Sequence, residues 1–187
     1  MYYHASRTGN IKKLEPRISN HGIPLVYFST KPENTLVYLS NAVEKFCKET
    51  GFRYDGTWEK WATYGFDNHR TLILEEYYPN AIYDTYKGVD GYIYIADDVL
   101  CLKMQADIPD AVTASECVTV RDCIYVPDAY DALLDAATKG RLVLKKKYEK
   151  HHTEKLEWIK RTIRQEYASC RNHPEYKYFL EAHFDFL

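Results

Sequence analysis

An α+β fold is predicted by three features of the sequence. Short runs of aromatic and β-branched residues, such as Tyr2-Tyr3-His4 and Leu25 to Phe28, end in turn-forming residues. Leu36, Leu39, Val43 and Phe46 follow at the spacing of one helix face, and the C-terminal third repeats apolar residues at helical spacing.

Taken in order, Tyr2-Tyr3-His4 predicts a first strand, His21-Gly22 a turn, and Leu25 to Phe28 a second strand closed at Ser29-Thr30. Pro32 suits the first turn of a helix, with Thr30 or Lys31 at the cap, Glu33 at the positive end of the dipole, and Gly51 as its stop. From Phe52 to Tyr94, Trp58, Trp61, Tyr64, Phe66 and a series of tyrosines share no single period, so the element type stays open. Gly91 to Ala96 predicts a strand, Asp97-Asp98 a turn and Val99 to Lys103 the second arm of a hairpin. Cys117 to Val126 is a further β-rich run, and Asp128 to Ala137 a capped helix with Leu133 and Leu134 inward, stopped at Gly140. Arg141 to Leu144 predicts a last strand. Leu156, Ile159, Ile163 and Tyr167 then mark a helix, and Pro174 opens another with Tyr178, Phe179 and Ala182 inward. The division expected is 1–148 as an α+β domain and 149–187 as a helical extension packed on it.

Composition narrows the function classes. The 187 residues are 45% hydrophobic and 28% charged, which suits a folded globular chain. Eighteen tyrosines against seven phenylalanines and two methionines point to half-buried surfaces and pockets, because each hydroxyl needs water or a partner. Cys47, Cys101, Cys117, Cys123 and Cys170 form no C-x-x-C pair, so neither a disulfide framework nor a cysteine zinc site is indicated and a reducing cytoplasm is expected. The start carries no charged leader with an apolar core and no apolar run nears the ~20 residues that cross a bilayer, so no membrane partner is expected.

The net charge of −2 is unevenly placed: residues 1–138 hold 13 Lys+Arg against 20 Asp+Glu, and residues 139–187 hold 12 against 7. The basic tail reads as a solvated helix face docked on an acidic body, with a nucleic-acid surface as the sharper alternative. Phosphate-loop, dinucleotide-fold, nucleophile-elbow and H-E-x-x-H motifs are all absent. His151-His152 point to different helix faces, which makes them surface residues and leaves no metal site expected. His69, His173 and His183 have no partner pattern.

Three motifs carry a resemblance. His4-Ala5-Ser6 follows two aromatic residues; Val26-Tyr27-Phe28-Ser29 is followed by Thr35 and Tyr38; and Ser115-Glu116-Cys117-Val118 leads into Val120, Asp122 and Ile124. In that order they resemble the H-G-[ST], the I-Y-F-A with its second tyrosine, and the late glutamate of the diphtheria-toxin-like, or poly(ADP-ribose) polymerase-like, branch of the ADP-ribosyltransferase superfamily. The resemblance covers about twenty positions within 3–39 and 115–126. It implies two small antiparallel sheets forming a cleft that binds NAD as a substrate, releases nicotinamide and passes ADP-ribose to an acceptor, protein or nucleic acid.

The resemblance also implies residue roles. Glu116 would be catalytic, since cleaving a nicotinamide–ribose bond leaves positive charge on the ribose and a carboxylate stabilises it. Tyr38 would stack on nicotinamide, Thr35 bond its amide, Tyr27 shape the pocket floor, and His4, with Ser6, hold the adenosine ribose. His4, Tyr27, Tyr38 and Glu116 are then expected on one concave surface. Ala5 departs from the usual glycine, and Ala114 from the glutamate or glutamine of arginine-modifying members. The other readings are a non-catalytic nucleotide-binding module, a protein-interaction domain with 52–94 as its surface, and an RNA 2′-phosphotransferase-like enzyme with Arg7, Arg17 and Arg121 on the phosphates. The sequence leaves the oligomeric state open.

Overall fold

The fold is that of a computed structural model, which describes all residues except 19–21, 56–63, 101, 106–107, 146–147 and 149–150. The predicted turn at His21 and the residues Trp58, Trp61 and Cys101 lie outside the described residues. In chain order the described elements are β1 (Tyr2–Ser6), β2 (Lys13–Leu14), β3 (Arg17–Ile18), β4 (Pro24–Ser29), a short 3-10 helix η1 (Glu33–Tyr38) and α1 (Ala42–Thr50). They continue with β5 (Tyr64–Phe66), β6 (Leu72–Glu75), α2 (Ala81–Tyr86), β7 (Gly91–Ala96), β8 (Lys103–Met104) and β9 (Ala111–Ala114). The rest are β10 (Val118–Thr119), β11 (Asp122–Val126), α3 (Ala129–Thr138), β12 (Leu142–Lys145), α4 (Thr153–Ser169) and α5 (Pro174–His183). The mixed α+β class and antiparallel sheets agree with the sequence reading.

A seven-stranded sheet has the order β11-β7-β1-β4-β9-β8, with β3 also on β4. Two smaller sheets are β10-β2 and β12-β6-β5. The chain divides into two compact units, 1–39 with 66–72 and 87–143, and 40–65 with 73–86 and 144–187. The C-terminal helices α4 and α5 share their unit with α1 and α2.

In the first unit, Val26 and Phe28 of β4 alternate with the half-buried Tyr27, as a sheet with a strongly buried face requires. They join Tyr94, Ala96, Val112 and Ala114 of the same sheet and Leu14 and Val118 of the β2–β10 pair in one core. Tyr94 is nearly fully buried, and its hydroxyl is satisfied at both ends: it donates to the Thr8 carbonyl at 2.7 Å and accepts from the Ile11 N–H at 3.2 Å. The expected hairpin from Gly91 to Lys103 does not form. β7 is a central strand whose two neighbours, β1 and β11, come from far along the chain, and Lys103 pairs with Thr113 of β9. The long β-run from Cys117 also breaks in two, β10 leaving for β2 while β11 returns to β7.

The helix expected to run unbroken from Pro32 to Gly51 is divided after Tyr38. Asn41 starts a new helix, its Oδ1 accepting from the N–H groups of Val43 and Glu44 at 3.0 and 3.4 Å, and Gly51 closes it with a left-handed φ of 71°. In the second unit α1, α4 and α5 pool Val43, Cys47, Ile159, Ile163, Phe179 and Leu180 in an aromatic-rich core. Leu180 occupies the inward position there; Ala182, expected inward, is exposed. His151 is half-buried, contrary to the surface reading, because its Nε2–H donates to the Glu76 carbonyl at 2.9 Å. His183 lies among Phe46, Tyr78 and Phe179, with ring centroids 4.4–4.9 Å away, and its Nδ1–H donates to the Phe179 carbonyl at 2.8 Å.

Candidate functional site

The three strands that carry the motifs are consecutive in the large sheet: β1 with His4 and Ser6, β4 with Tyr27, and β9, which leads to Glu116. At about 4.8 Å between neighbours, β1 and β9 are ~10 Å apart. Register aligns their ends. Tyr3 stands opposite Ser29 and Val26 opposite Ala114, so the antiparallel ladder sets Ser6, Val26 and Ala114 in one row. Glu116 lies just past that row, in the exposed three-residue link Ser115–Cys117 between two buried anchors, Ala114 opposite Val26 and Val118 opposite Leu14. The short link between paired strands confines the Glu116 backbone to this end of the sheet.

His4 is held from within. Its Nδ1 lies 2.8 Å from the Tyr27 carbonyl, which can only accept, so Nδ1 carries the proton. Burial pushes the imidazole below its ordinary range, and the Arg17 charge adds to this, although the Tyr27 carbonyl pulls the other way. A neutral ring protonated at Nδ1 keeps Nε2 as an acceptor, suited to a hydroxyl. Ser6 Oγ accepts from the Thr8 N–H at 3.1 Å and so shapes the turn after β1.

The two faces of the sheet separate the candidates. The His4 ring meets Phe28 edge-on at 6.0 Å, so both project to the same face. Tyr27, the intervening residue of β4, projects to the other, as does Ala5 beside Ile93. A Cβ on Gly91 would point at Leu39, 2.6 Å from its Cδ2, and Gly91 shares the parity of Ile93, so the end of η1 lies on the Tyr27 face. His4 and Ser6 therefore lie on one face and Tyr27 and η1 on the other; the four expected residues do not line one concave surface. What unites them is an end of the sheet. The same Gly91 Cβ position is 3.1 Å from the Ser6 carbonyl, which puts Leu39, and Tyr38 beside it, at the end where Ser6 and Glu116 lie.

Within η1 the residues divide in use. Thr35 is buried, and its hydroxyl donates to the Pro32 carbonyl at 2.7 Å, so the side chain expected to meet an amide is engaged in its own turn. Tyr38 is 45% exposed and presents ring surface outward. Of the arginines named for phosphates, Arg17 sits opposite Leu25 on β4 and its charge reaches His4. Arg121, by contrast, is taken up by Asp97.

Among the described residues no group of three or more His, Cys, Asp or Glu could hold a metal ion, and no helix is long and apolar enough to cross a membrane. No protein-family model, curated protein or solved structure matches the chain.

Proposed function

We propose that the first unit binds NAD and transfers its ADP-ribosyl group in the manner of the ADP-ribosyltransferases, with Glu116 as the catalytic residue. The observation that supports this most is the adjacency of β1, β4 and β9, which brings His4, Tyr27 and the start of the Glu116 link, spread over 113 positions, onto neighbouring strands of one sheet. In the reaction the bond between nicotinamide and the ribose C1′ breaks and its electron pair leaves with nicotinamide. An acceptor nucleophile then bonds to C1′ and gives up a proton. Glu116 stabilises the positive charge on the ribose and holds its 2′-hydroxyl, an interaction that strengthens toward the transition state. Tyr38 offers nicotinamide a stacking surface and His4 Nε2 accepts from a ribose hydroxyl, while Tyr27 supports the strand through the carbonyl that fixes His4.

The test is incubation of the purified protein with NAD, with and without cell extract as acceptor source, reading free nicotinamide and labelled macromolecules. Nicotinamide release that rises with added acceptor is the expected result. No release, together with no thermal shift at millimolar NAD, would contradict the reading.

A further inference from the structure

The second unit carries a cluster that the proposed transfer does not use. Glu75 on β6 holds two lysines: Lys155 Nζ lies 2.9 Å from its Oε2, and Lys145 Nζ, at the end of β12, lies 3.7 Å from its Oε1. His151 Nδ1 is 4.0 Å from the same Oε1. One carboxylate offsets one ammonium, so the group keeps a net positive charge. Two aromatic rings adjoin it. The Lys155 ammonium is 4.4 Å from the centre of the Trp158 ring and 5.3 Å from that of Tyr77, and the two rings meet edge-on at 5.9 Å. Trp158 is 40% exposed, whereas Ile159 and Ile163 of the same helix are buried. It therefore presents ring surface to solvent, in an orientation that Tyr77 and Lys155 fix.

The chain around this cluster is basic. Residues 144–164 hold 8 Lys+Arg against 3 Asp+Glu. Of the acids on this stretch of α4, Glu157 is paired with Lys160 at 3.1 Å and Glu154 lies in the first turn. The exposed Arg161 stands one turn beyond Trp158, so the indole lies between cations three residues to either side. Lys155 and Arg161 are then about 9 Å apart along the helix axis.

We infer that Trp158, with Lys145, Lys155 and Arg161 around it, forms a binding surface for single-stranded nucleic acid. A base stacks on the exposed indole and the phosphates meet the flanking cations. The combination selects the ligand. The carboxylates of an acidic peptide would leave the indole unused, and a duplex keeps its bases stacked on one another, out of reach of a side chain. A π-face is common to every base, so little sequence preference is expected. The inference is independent of the NAD reading, with which it shares no residue.

The experiment titrates the full chain into labelled oligo-dT and oligo-U strands of about 12 nucleotides, and into a duplex of the same length, reading fluorescence anisotropy at rising salt. Both single strands should bind more tightly than the duplex, with a log–log salt slope of about −2, from three phosphate contacts at about 0.7 each. Trp158→Ala should lower single-strand affinity about tenfold or more at an unchanged slope, and Trp158→Phe, which keeps an aromatic face, should recover most of the loss. Lys145→Gln with Arg161→Gln should instead bring the slope to about −0.7. Circular dichroism checks that the variants fold. A second measurement uses the intact indole: its emission, read as the difference between the unaltered protein and Trp158→Phe, should be quenched when oligo-dT binds. Unchanged emission, no single-strand binding at low salt, or equal affinity of the unaltered and Trp158→Ala proteins would overturn the surface. Tighter binding of the duplex, or polyglutamate binding with the same dependence on Trp158, would overturn it as well.

Discussion

Single residues in this chain do their work through atoms that sequence spacing cannot locate. Thr35 and Tyr38 stand three positions apart in one short helix, yet the hydroxyl of the first closes its own turn and the ring of the second faces solvent. Their substitutions should separate accordingly: Tyr38→Ala should raise the Kd for NAD with little loss of stability, whereas Thr35→Val, which removes the bond to Pro32, should lower stability by about 1 kcal/mol. Thermal unfolding and NAD titration of the two variants check this, and a Thr35→Val protein of unaltered stability would contradict it. Tyr38 was named as a candidate by its place after Tyr27 in the resemblance, which is visible in the sequence. The engagement of Thr35 was not, because its partner is a backbone carbonyl chosen by the 3-10 geometry. His183 was illegible for a related reason: its neighbours Phe46 and Tyr78 are more than a hundred positions away.

At the scale of elements, local chemistry was read well and long-range pairing poorly. The Gly51 stop, the Asp128 cap and Pro174 at a helix start are all in place, since each depends on a few adjacent residues. The hairpin after Gly91 failed because β7 pairs with β1 and β11, a choice made by burial on both faces that a short apolar run does not disclose. The division of the long helix turns on Asn41, whose Nδ2–H also donates to the Tyr54 hydroxyl at 3.0 Å. Burial first, then Glu44, pushes that phenol up to about 12, so it stays protonated at neutral pH. Asn41→Ala removes the cap and this donor together and should cost about 1–2 kcal/mol in urea unfolding. Gly91→Ala tests how closely η1 meets the sheet: the new methyl meets Leu39 at 2.6 Å and the Ser6 carbonyl at 3.1 Å, for an expected loss of about 1–3 kcal/mol. Stability equal to that of the unaltered protein would mean that the end of η1 is not held where Ser6 ends.

For the whole molecule, each unit contains a histidine that burial holds below the ordinary imidazole value of 6.5, His4 in one and His183 in the other. The unfolded chain takes up protons at these sites before the folded one, so stability is complete above pH 6.5 and declines as the pH falls below it. Asp84, raised by burial above 3.8, acts in the opposite sense at lower pH. Urea midpoints should therefore be lower at pH 5.5 than at pH 7.5, and His183→Gln should flatten part of the difference; a midpoint that rises on acidification would contradict the assignment. The central claim, that Glu116 acts on the ribosyl cation, is tested most directly by comparing Glu116→Gln with the unaltered protein in two assays, NAD binding and nicotinamide release. NAD affinity should change by less than about threefold while the release rate falls by ~10²-fold or more, because the lost interaction belongs mainly to the transition state. Release by Glu116→Gln at the unaltered rate would contradict the account.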